Sequence, residues 1–432
     1  MNCENCEKQE QIIDKLRKEN DELKTRIAML EAKLARYENP HIPPSKREFQ
    51  SNRTKKSDGK PGRKEGHEGV TREQPEPTHF AEVTKDRCPQ CSAKLGKPFH
   101  TERKIIEEIP ESQPVKIIEF SINHYICPSC GKEVVGEHPE LPREGNFGKN
   151  ALAHVTLMKY EDRLPFRKIQ ATLQRQFGLN VSPGAIFDFT RRASNGVMSV
   201  YEFILNRVRE AYVVYVDETG AKVEGTNYWL WVFTTPTETF VVVRNSRGAK
   251  VLREVLTRRF RGIIVCDGWR SYPSFTKRLQ RCWAHMLRES KYLAENIKEI
   301  RPLNNALHRL YEKLTTFLSV KRTHRERKKL WYEARATLRR WLRRIYPSKE
   351  IMAFVEKIQN GFDYWFTFIL HLGVEPTNNR VERALREHVV QRKIFGTLRN
   401  EKGAGIYETL MTVIATWKQQ GLPLHQKLVS HL

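Results

Sequence analysis

Two stretches of this chain, "AYVVYVDET" and "GIIVCDGWRSY", run through β-branched and aromatic residues and then deliver an acid, Asp217 and Asp267. Such residues suit a buried, pleated strand. The acids that follow do not, because a core has no use for a bare carboxylate. Between the two runs lie "NYWLWVFTT" and "TFVVVRNS", in close succession, and then a helical stretch, "AKVLREVLTRR". The spacing predicts a meander of three antiparallel strands, a helix and a fourth strand.

That succession is the ribonuclease-H-like order, in which the first and fourth strands lie side by side and their ends bring Asp217 and Asp267 together. Two adjacent carboxylates repel and are costly unless a cation neutralises them. Hard oxygen ligands of this kind bind Mg²⁺ or Mn²⁺. Two such ions about 3.5–4 Å apart can clamp the attacking and leaving oxygens of a phosphoryl displacement. The plainer alternative is local: Asp267-Gly268 as a turn and Asp217 as a cap. Both acids on neighbouring strands favour the metal reading.

The charge balance points the same way. The chain carries 76 Lys and Arg against 51 Asp and Glu, a formal +25, and such a field attracts polyanions. No segment has the apolar length to span a bilayer, and the polar start "MNCENCEKQEQ" lacks a signal-peptide apolar region. A cytoplasmic, nucleoid-associated protein with DNA as its partner and no membrane attachment is expected. At 432 residues there is room for about three domains.

Residues 1–38 read as a coiled-coil dimerisation helix. Ile13, Asn20, Ile27 and Leu34 fall at a, and Leu16, Leu23, Leu30 and Tyr37 at d. Ile at a with Leu at d favours a parallel pair, and one Asn at a fixes register. Glu19, Arg26 and Lys33 at g meet Lys24, Glu31 and Glu38 at e of a partner, so every pair attracts. A homodimer or higher homo-oligomer follows. Residues 39–77, Pro, Gly, Ser and Lys rich, are a basic flexible linker.

Residues 78–145 carry Cys88-x-x-Cys91 and Cys127-x-x-Cys130, with the strand-like runs "RKIIEEIP" and "VKIIEFSINHYI" between them. Two such knuckles supply four thiolates for a closed, structural Zn²⁺ site, a zinc ribbon. Cys3-x-x-Cys6 has no second pair in its own chain and is not assigned. Residues 146–210 read as a helical, helix-turn-helix-like DNA-binding domain, with Phe166, Ile169 and Leu173 as a stripe and a turn near Gly178. Ser182 is the N-cap, Pro183 the first helical residue, and Arg191 and Arg192 lie toward the end. Plain helical packing explains the same pattern.

The catalytic core begins at 211 and runs to 295, is interrupted by a helical insertion at 296–372, and is completed by 373–432. Residues 321–344 of the insertion hold eleven Lys or Arg against two Glu. A stripe of Leu330, Ala334, Leu338, Trp341 and Ile345 is expected opposite a basic face with Lys328, Lys329, Arg339 and Arg340, which is either a solvated face or a DNA contact. "RCWAHMLRES" offers Cys282-x-x-His285, half a metal site without an evident other half. The whole is a multidomain α+β chain.

At "VDETG", "CDGWRSY", "CWAHMLRE" and "NNRVERALREHVVQRK" the sequence resembles the insertion sequence 66 family of bacterial DDE transposases, as do the coiled-coil start, the "PPSK" linker and the cysteine pairs. The resemblance implies a DNA transposase that binds terminal inverted repeats and target DNA, with Asp217, Asp267 and Glu382 as its acidic triad, sometimes helped by accessory proteins. Glu65 stands where the family usually has Pro before Gly-His, in a segment away from the chemistry. Arg383, Arg386, Arg392 and Lys393 in the last motif are further candidates for DNA contact. Glu382 shares helical spacing with Leu385 and Val389. Its rival role is a capping box with Asn379 and an i+4 pair with Arg386, and Glu289 and Glu375 are rival third acids. A nuclease or resolvase of the same fold, or a DNA-binding regulator with an inactive core, are the alternatives.

A peptide of residues 10–39 is expected to form a parallel dimer, and Asn20→Ile to stabilise it while loosening its oligomer specificity. Sedimentation equilibrium that finds a monomer at high concentration, or a trimer, contradicts the heptad assignment.

Overall fold

The computed structural model describes residues 75–432 and, from the N-terminal segment, helical positions between 13 and 30. The chain divides into two compact units, residues 1–113 and 114–432. In the first, Ile13, Leu16, Leu23, Ile27 and Leu30 are all about half exposed, so the expected a/d seam is open to a partner. Leu34, Tyr37, the charges at 31, 33 and 38, Cys3, Cys6 and the linker up to 74 lie outside the described residues. Cys88 and Cys91 sit in a tight turn. The Cys88 carbonyl accepts the Ser92 amide, and the Cys88 amide donates to Ala93, both at 2.9 Å. Ser92 takes a positive φ of 59° to close it.

The second unit opens with the same turn. The Cys127 carbonyl accepts from Gly131 and the Cys127 amide donates to Lys132, both at 2.9 Å, with Gly131 at φ 67°. Here it joins two short strands, β1 (His124–Ile126) and β2 (Glu133–Val135), paired antiparallel. The long strands expected over 103–110 and 115–126 are reduced to those three residues of β1. Their apolar side chains are largely exposed, Ile109 and Ile117 among them, so no packed face sustains a longer ladder.

A small helical core follows, built from α1 (Lys149–Tyr160), α2 (Phe166–Phe177) and α3 (Pro183–Gly196) around Leu152, Val155, Ile169, Leu173, Ile186 and Phe189. The turn is as expected. Gly178 ends α2 in the left-handed region at φ 64°, and the Ser182 hydroxyl caps α3 by accepting the Ala185 amide at 3.1 Å. The next helix, α4 (Met198–Glu210), buries Ile204 and Val208 in the larger core of the sheet.

That sheet holds β3 (Val213–Val223), β4 (Thr226–Thr234), β5 (Thr239–Arg244), β6 (Ile263–Cys266) and β7 (Leu279–Arg281), in the order β5-β4-β3-β6-β7. The meander β3-β4-β5 is antiparallel, and β6 and β7 continue it parallel to β3. Short helices α5 (Ala249–Val255) and α6 (Ser271–Phe275) connect β5 to β6 and β6 to β7. The first and fourth strands are neighbours, as the sequence order requires.

After α7 (Trp283–Asn296) comes the insertion, with α8 (Arg301–Leu318), α9 (His324–Leu342), α10 (Lys349–Gln359) and the short α11 (Thr367–Leu370). The chain returns through α12 (Asn379–Phe395), α13 (Glu401–Gln419) and α14 (Leu424–His431). The α9 stripe is Leu330, Ala334, Leu338 and Leu342. Trp341 is only partly buried and Ile345 is 97% exposed, because the helix ends at Leu342 and the expected next turn does not exist.

The outer edge of β5 is closed by α13 rather than by another strand. The amides of Thr239, Val241 and Val243 donate to the side chains of Thr416, Thr412 and Glu408 at 3.0, 2.9 and 2.9 Å. Four helical residues rise about 6 Å and two strand residues about 6.6 Å, so i, i+4 side chains match alternate strand amides. An unpaired edge is thereby covered. Among the described residues no helix is long and apolar enough to cross a membrane.

β6 enters the sheet at Gly262, where a Cβ would lie 2.4 Å from the Ala211 carbonyl oxygen. Gly262→Ala is expected to lower unfolding stability by about 1–3 kcal/mol through overpacking. Urea denaturation that matches wild type contradicts so close an approach.

Candidate active site

Asp217 does not end its strand. β3 runs on to Val223, paired throughout with β4, where Asp217 faces Val232. What ends before Asp217 is the parallel ladder, whose register is Val213↔Ile263, Val214↔Ile264 and Tyr215↔Val265. The same offset carries Asp217 opposite Asp267. The two acids therefore meet where β3 loses its parallel neighbour and the chain after β6 turns away. One oxygen of Asp267 accepts the Trp269 amide at 2.8 Å, an Asx-type turn, and one of Asp217 accepts the Glu218 amide at 2.9 Å.

The Asp217 carboxyl is pushed well above the usual carboxylate range. Burial is the main cause, the charges of Glu218, Asp267 and Glu382 add to it, and the Glu218 amide opposes it. Asp217, Asp267 and Glu382 thus share one electrostatic neighbourhood. A bound cation is the natural relief for such a group.

Glu382 stands in the first turn of α12. The N-cap is Asn378, not Asn379, and it makes no side-chain cap, so the capping-box role is not realised. Among the described residues no Arg386 pair with Glu382 is found. It contacts His285, with Nδ1 3.7 Å from Oε1, and that carboxylate oxygen is buried without a hydrogen-bond partner. The buried face of α12 is Val381, Leu385, His388 and Gln391, with Glu382 flanking it. The rival acids are neutralised: Glu289 by Lys357 at 2.5 Å and Glu375 by Arg380 at 2.6 Å.

Four segments are tied together around these acids. The Asn378 side-chain amide donates to the Val216 carbonyl at 3.0 Å, and its backbone amide donates to Cys282 Sγ at 3.1 Å. The Cys282 amide donates to the Cys266 carbonyl at 2.9 Å, and the Trp283 amide to Pro376 at 3.0 Å. β3 beside Asp217, the end of β6 and the starts of α7 and α12 are fixed by this set. Cys282, which the sequence left with only His285, has Glu382 as its third neighbour: the ligand atoms of Cys282, His285 and Glu382 all lie within 4.8 Å of one another.

Glu218 is not a spare metal ligand. It is fully buried as a side chain, accepts from Arg247 Nε at 2.8 Å and from the Tyr272 hydroxyl at 2.6 Å. The Arg247 guanidinium lies between two rings, 4.6 Å from Trp229 and 4.0 Å from Trp269. Sequence reasoning missed Asn378 and Arg247; Asn378 and Trp269 did lie inside quoted motifs, while Arg247 carried no local signal.

The basic candidates divide in two. Lys328, Lys329, Arg339, Arg340, Arg383, Arg386 and Lys393 are exposed. Arg191 is held by Asp188 and Glu144, Arg192 donates to the Phe147 carbonyl, and Arg392 donates to Thr219 and Gly220 of β3. These three are engaged within the protein.

The model of the family described as "Transposase IS66 family" matches residues 144–406, a span that includes Asp217, Asp267 and Glu382 together with Cys282 and His285. The chain is also similar to "Uncharacterized protein y4qI" of Sinorhizobium fredii (strain NBRC 101917 / NGR234), at 23% identity over 307 residues, which is 63% of this chain and 56% of the relative. The aligned part thus spans little more than half of that relative's length.

Arg247→Met is expected to cost about 2 kcal/mol, less than a fully buried broken pair because Arg247 is partly exposed. Burial already raises the Glu218 carboxyl, and the Asp267 charge adds to it. Without Arg247 it would rise further, so folding would take up a proton. The deficit relative to wild type should be smallest in acid and grow as pH rises through the folded-state value. Urea titrations across pH check this; a pH-independent deficit contradicts it.

Proposed function

Because the chain belongs to the IS66 family of transposases, we propose that it is a DNA transposase that binds transposon ends and carries out metal-dependent strand cleavage and strand transfer. The observation that supports this most is the parallel register bringing Asp217 opposite Asp267, with Glu382 contributing to the same charge neighbourhood. The donor set fits a hard divalent cation: three carboxylates, one with its charge strongly disfavoured and one with an orphaned buried oxygen.

When bound, two Mg²⁺ or Mn²⁺ ions would stabilise the attacking and leaving oxygens of a phosphoryl displacement. Asp217, from within β3, and Asp267, just after β6, would hold them, and Glu382 would close the set from α12. The Asn378 tie keeps the helix start at the strand, which sets the third carboxylate's position. The exposed cations Lys328, Lys329, Arg339, Arg340, Arg383, Arg386 and Lys393 supply phosphate contacts. Arg191, Arg192 and Arg392 serve architecture first.

The remaining assignments follow the same reading. Cys88, Cys91, Cys127 and Cys130 hold a structural Zn²⁺, supported by the identical hydrogen-bonded turn around each pair and by backbone amides that lower the Cys88 and Cys127 thiols. The half-exposed stripe of the N-terminal helix supports a parallel homodimer.

Asp217→Ala, Asp267→Ala and Glu382→Gln are each expected to reduce Mg²⁺-dependent cleavage and joining of end-containing DNA by several orders of magnitude, while binding to the same ends is kept. A gel-based joining assay beside a binding assay reads both. Full activity in either aspartate variant ends the triad; an active Glu382→Gln protein removes only its third member.

A further inference from the structure

We propose that Cys282, His285 and Glu382 form a second metal site, for a borderline transition ion such as Zn²⁺, that shares Glu382 with the Asp217–Asp267 pair. The three ligand atoms lie within 4.8 Å of one another. His285 Nδ1 and Glu382 Oε1 are 3.7 Å apart, beyond a hydrogen bond but close to the about 3.4 Å that separates two nitrogen or oxygen ligands on a tetrahedral zinc ion. Their side chains are 40% and 29% exposed, yet these two atoms face inward and have no hydrogen-bond partner. Buried, unpaired polar atoms ask for an occupant. An imidazolium–carboxylate pair at that distance would leave both unbonded and would not involve the sulfur.

The position of Cys282 suits a sulfur ligand. Cys282 is the N-cap of α7 and 1% exposed. Its sulfur accepts the Asn378 amide at 3.1 Å; burial raises the thiol and the Glu382 charge adds to that, while the amides of Asn378, His285 and Ala284 oppose it, so the anion needs a cation beside it. Helix-start amides of this kind stabilise a thiolate. The i, i+3 spacing puts Cys282 and His285 on one side of the first turn of α7, facing the first turn of α12 that carries Glu382. One thiolate, one imidazole and one carboxylate leave a fourth position open, the donor pattern of zinc rather than of magnesium.

The competition for Glu382 rests on the transposase reading; the site itself does not. An ion held by Cys282 and His285 draws Glu382 away from the hard-ion set, so zinc would act as a brake on the reaction.

The test is a metal count on the full chain. Protein stripped with a strong chelator is reloaded and dialysed against buffered zinc at nanomolar free concentration, and bound zinc is measured by mass spectrometry. Wild type should hold one zinc per chain more than Cys282→Ser and one more than His285→Ala; zinc at the four paired cysteines is common to all three and cancels. Cobalt loading should give a sulfur-to-metal charge-transfer band that weakens in Cys282→Ser. If Cys282→Ser does not fold by circular dichroism, His285→Ala, at a partly exposed side chain, decides. Equal zinc in wild type and folded His285→Ala overturns the site. Zinc that binds at full count and leaves Mg²⁺-dependent cleavage unchanged overturns the competition. A correct count with no cleavage under any condition sinks the transposase reading and leaves the site standing.

Discussion

Asn378 joins parts of the chain that are far apart in sequence, and the geometry of the acids depends on it. Its side chain reaches the Val216 carbonyl and its backbone amide reaches Cys282 Sγ. Cys282 in turn is bonded to the Cys266 carbonyl, at the end of β6. Asn378 is wholly buried; its side-chain and backbone N–H groups find these partners, while its Oδ1 is buried without one. A helix arriving after a long insertion has no covalent reason to start beside a particular strand residue. The Asn378 bonds supply that reason, and Glu382, one turn further on, takes its place from them.

The insertion makes such a joint necessary. α8 to α11 separate Cys282 from Asn378 in the chain, and they pack through their own apolar stripes, with Leu303, Leu307, Leu310 and Leu314 on α8 and Leu330, Ala334 and Leu338 on α9. Arg327 is buried among them and spends its guanidinium on the carbonyls of Phe368 and Ile369. The insertion is anchored to the segment that leads back to α12. The Trp283 indole likewise donates to the Trp365 carbonyl at 2.6 Å, so the entry and exit of the insertion are bound to each other.

The meander, the fourth strand and the two helices either side of Gly178 were legible because their signals are local: runs of β-branched residues, and Ser182-Pro183 as a helix start. The partnership of Asp217 with Asp267 was legible from element order. Its register was not, because nothing in the run itself reveals that β3 outlasts its parallel neighbour. The start of α12 was misjudged by one residue, since adjacent asparagines at 378 and 379 cap equally well on paper; the structure spends Asn378 on tertiary bonds instead. Glu218 and Arg247 were invisible for the reason that ion pairs usually are. Their meeting depends on the fold and not on spacing. The strands expected around the cysteine pairs rested on propensity alone, and without a packed face propensity is a weak guide.

The charge pattern makes the last step. A chain with a net +25 has cations to spare, and around these acids they are distributed selectively. Glu218 has Arg247, Glu289 has Lys357 and Glu375 has Arg380. Among the described residues no Lys or Arg forms an ion pair with Asp217, Asp267 or Glu382. Burial and mutual repulsion make the Asp217 charge expensive, and the Glu218 amide is the relief that the fold gives it. A lysine or arginine in that position would lower the energy of the empty site and compete with any ion from solution. Leaving the three acids without an ion-paired cation, although Arg281 feels the charge of Asp267, would preserve the affinity of the proposed site for an external ion, at the cost of local stability.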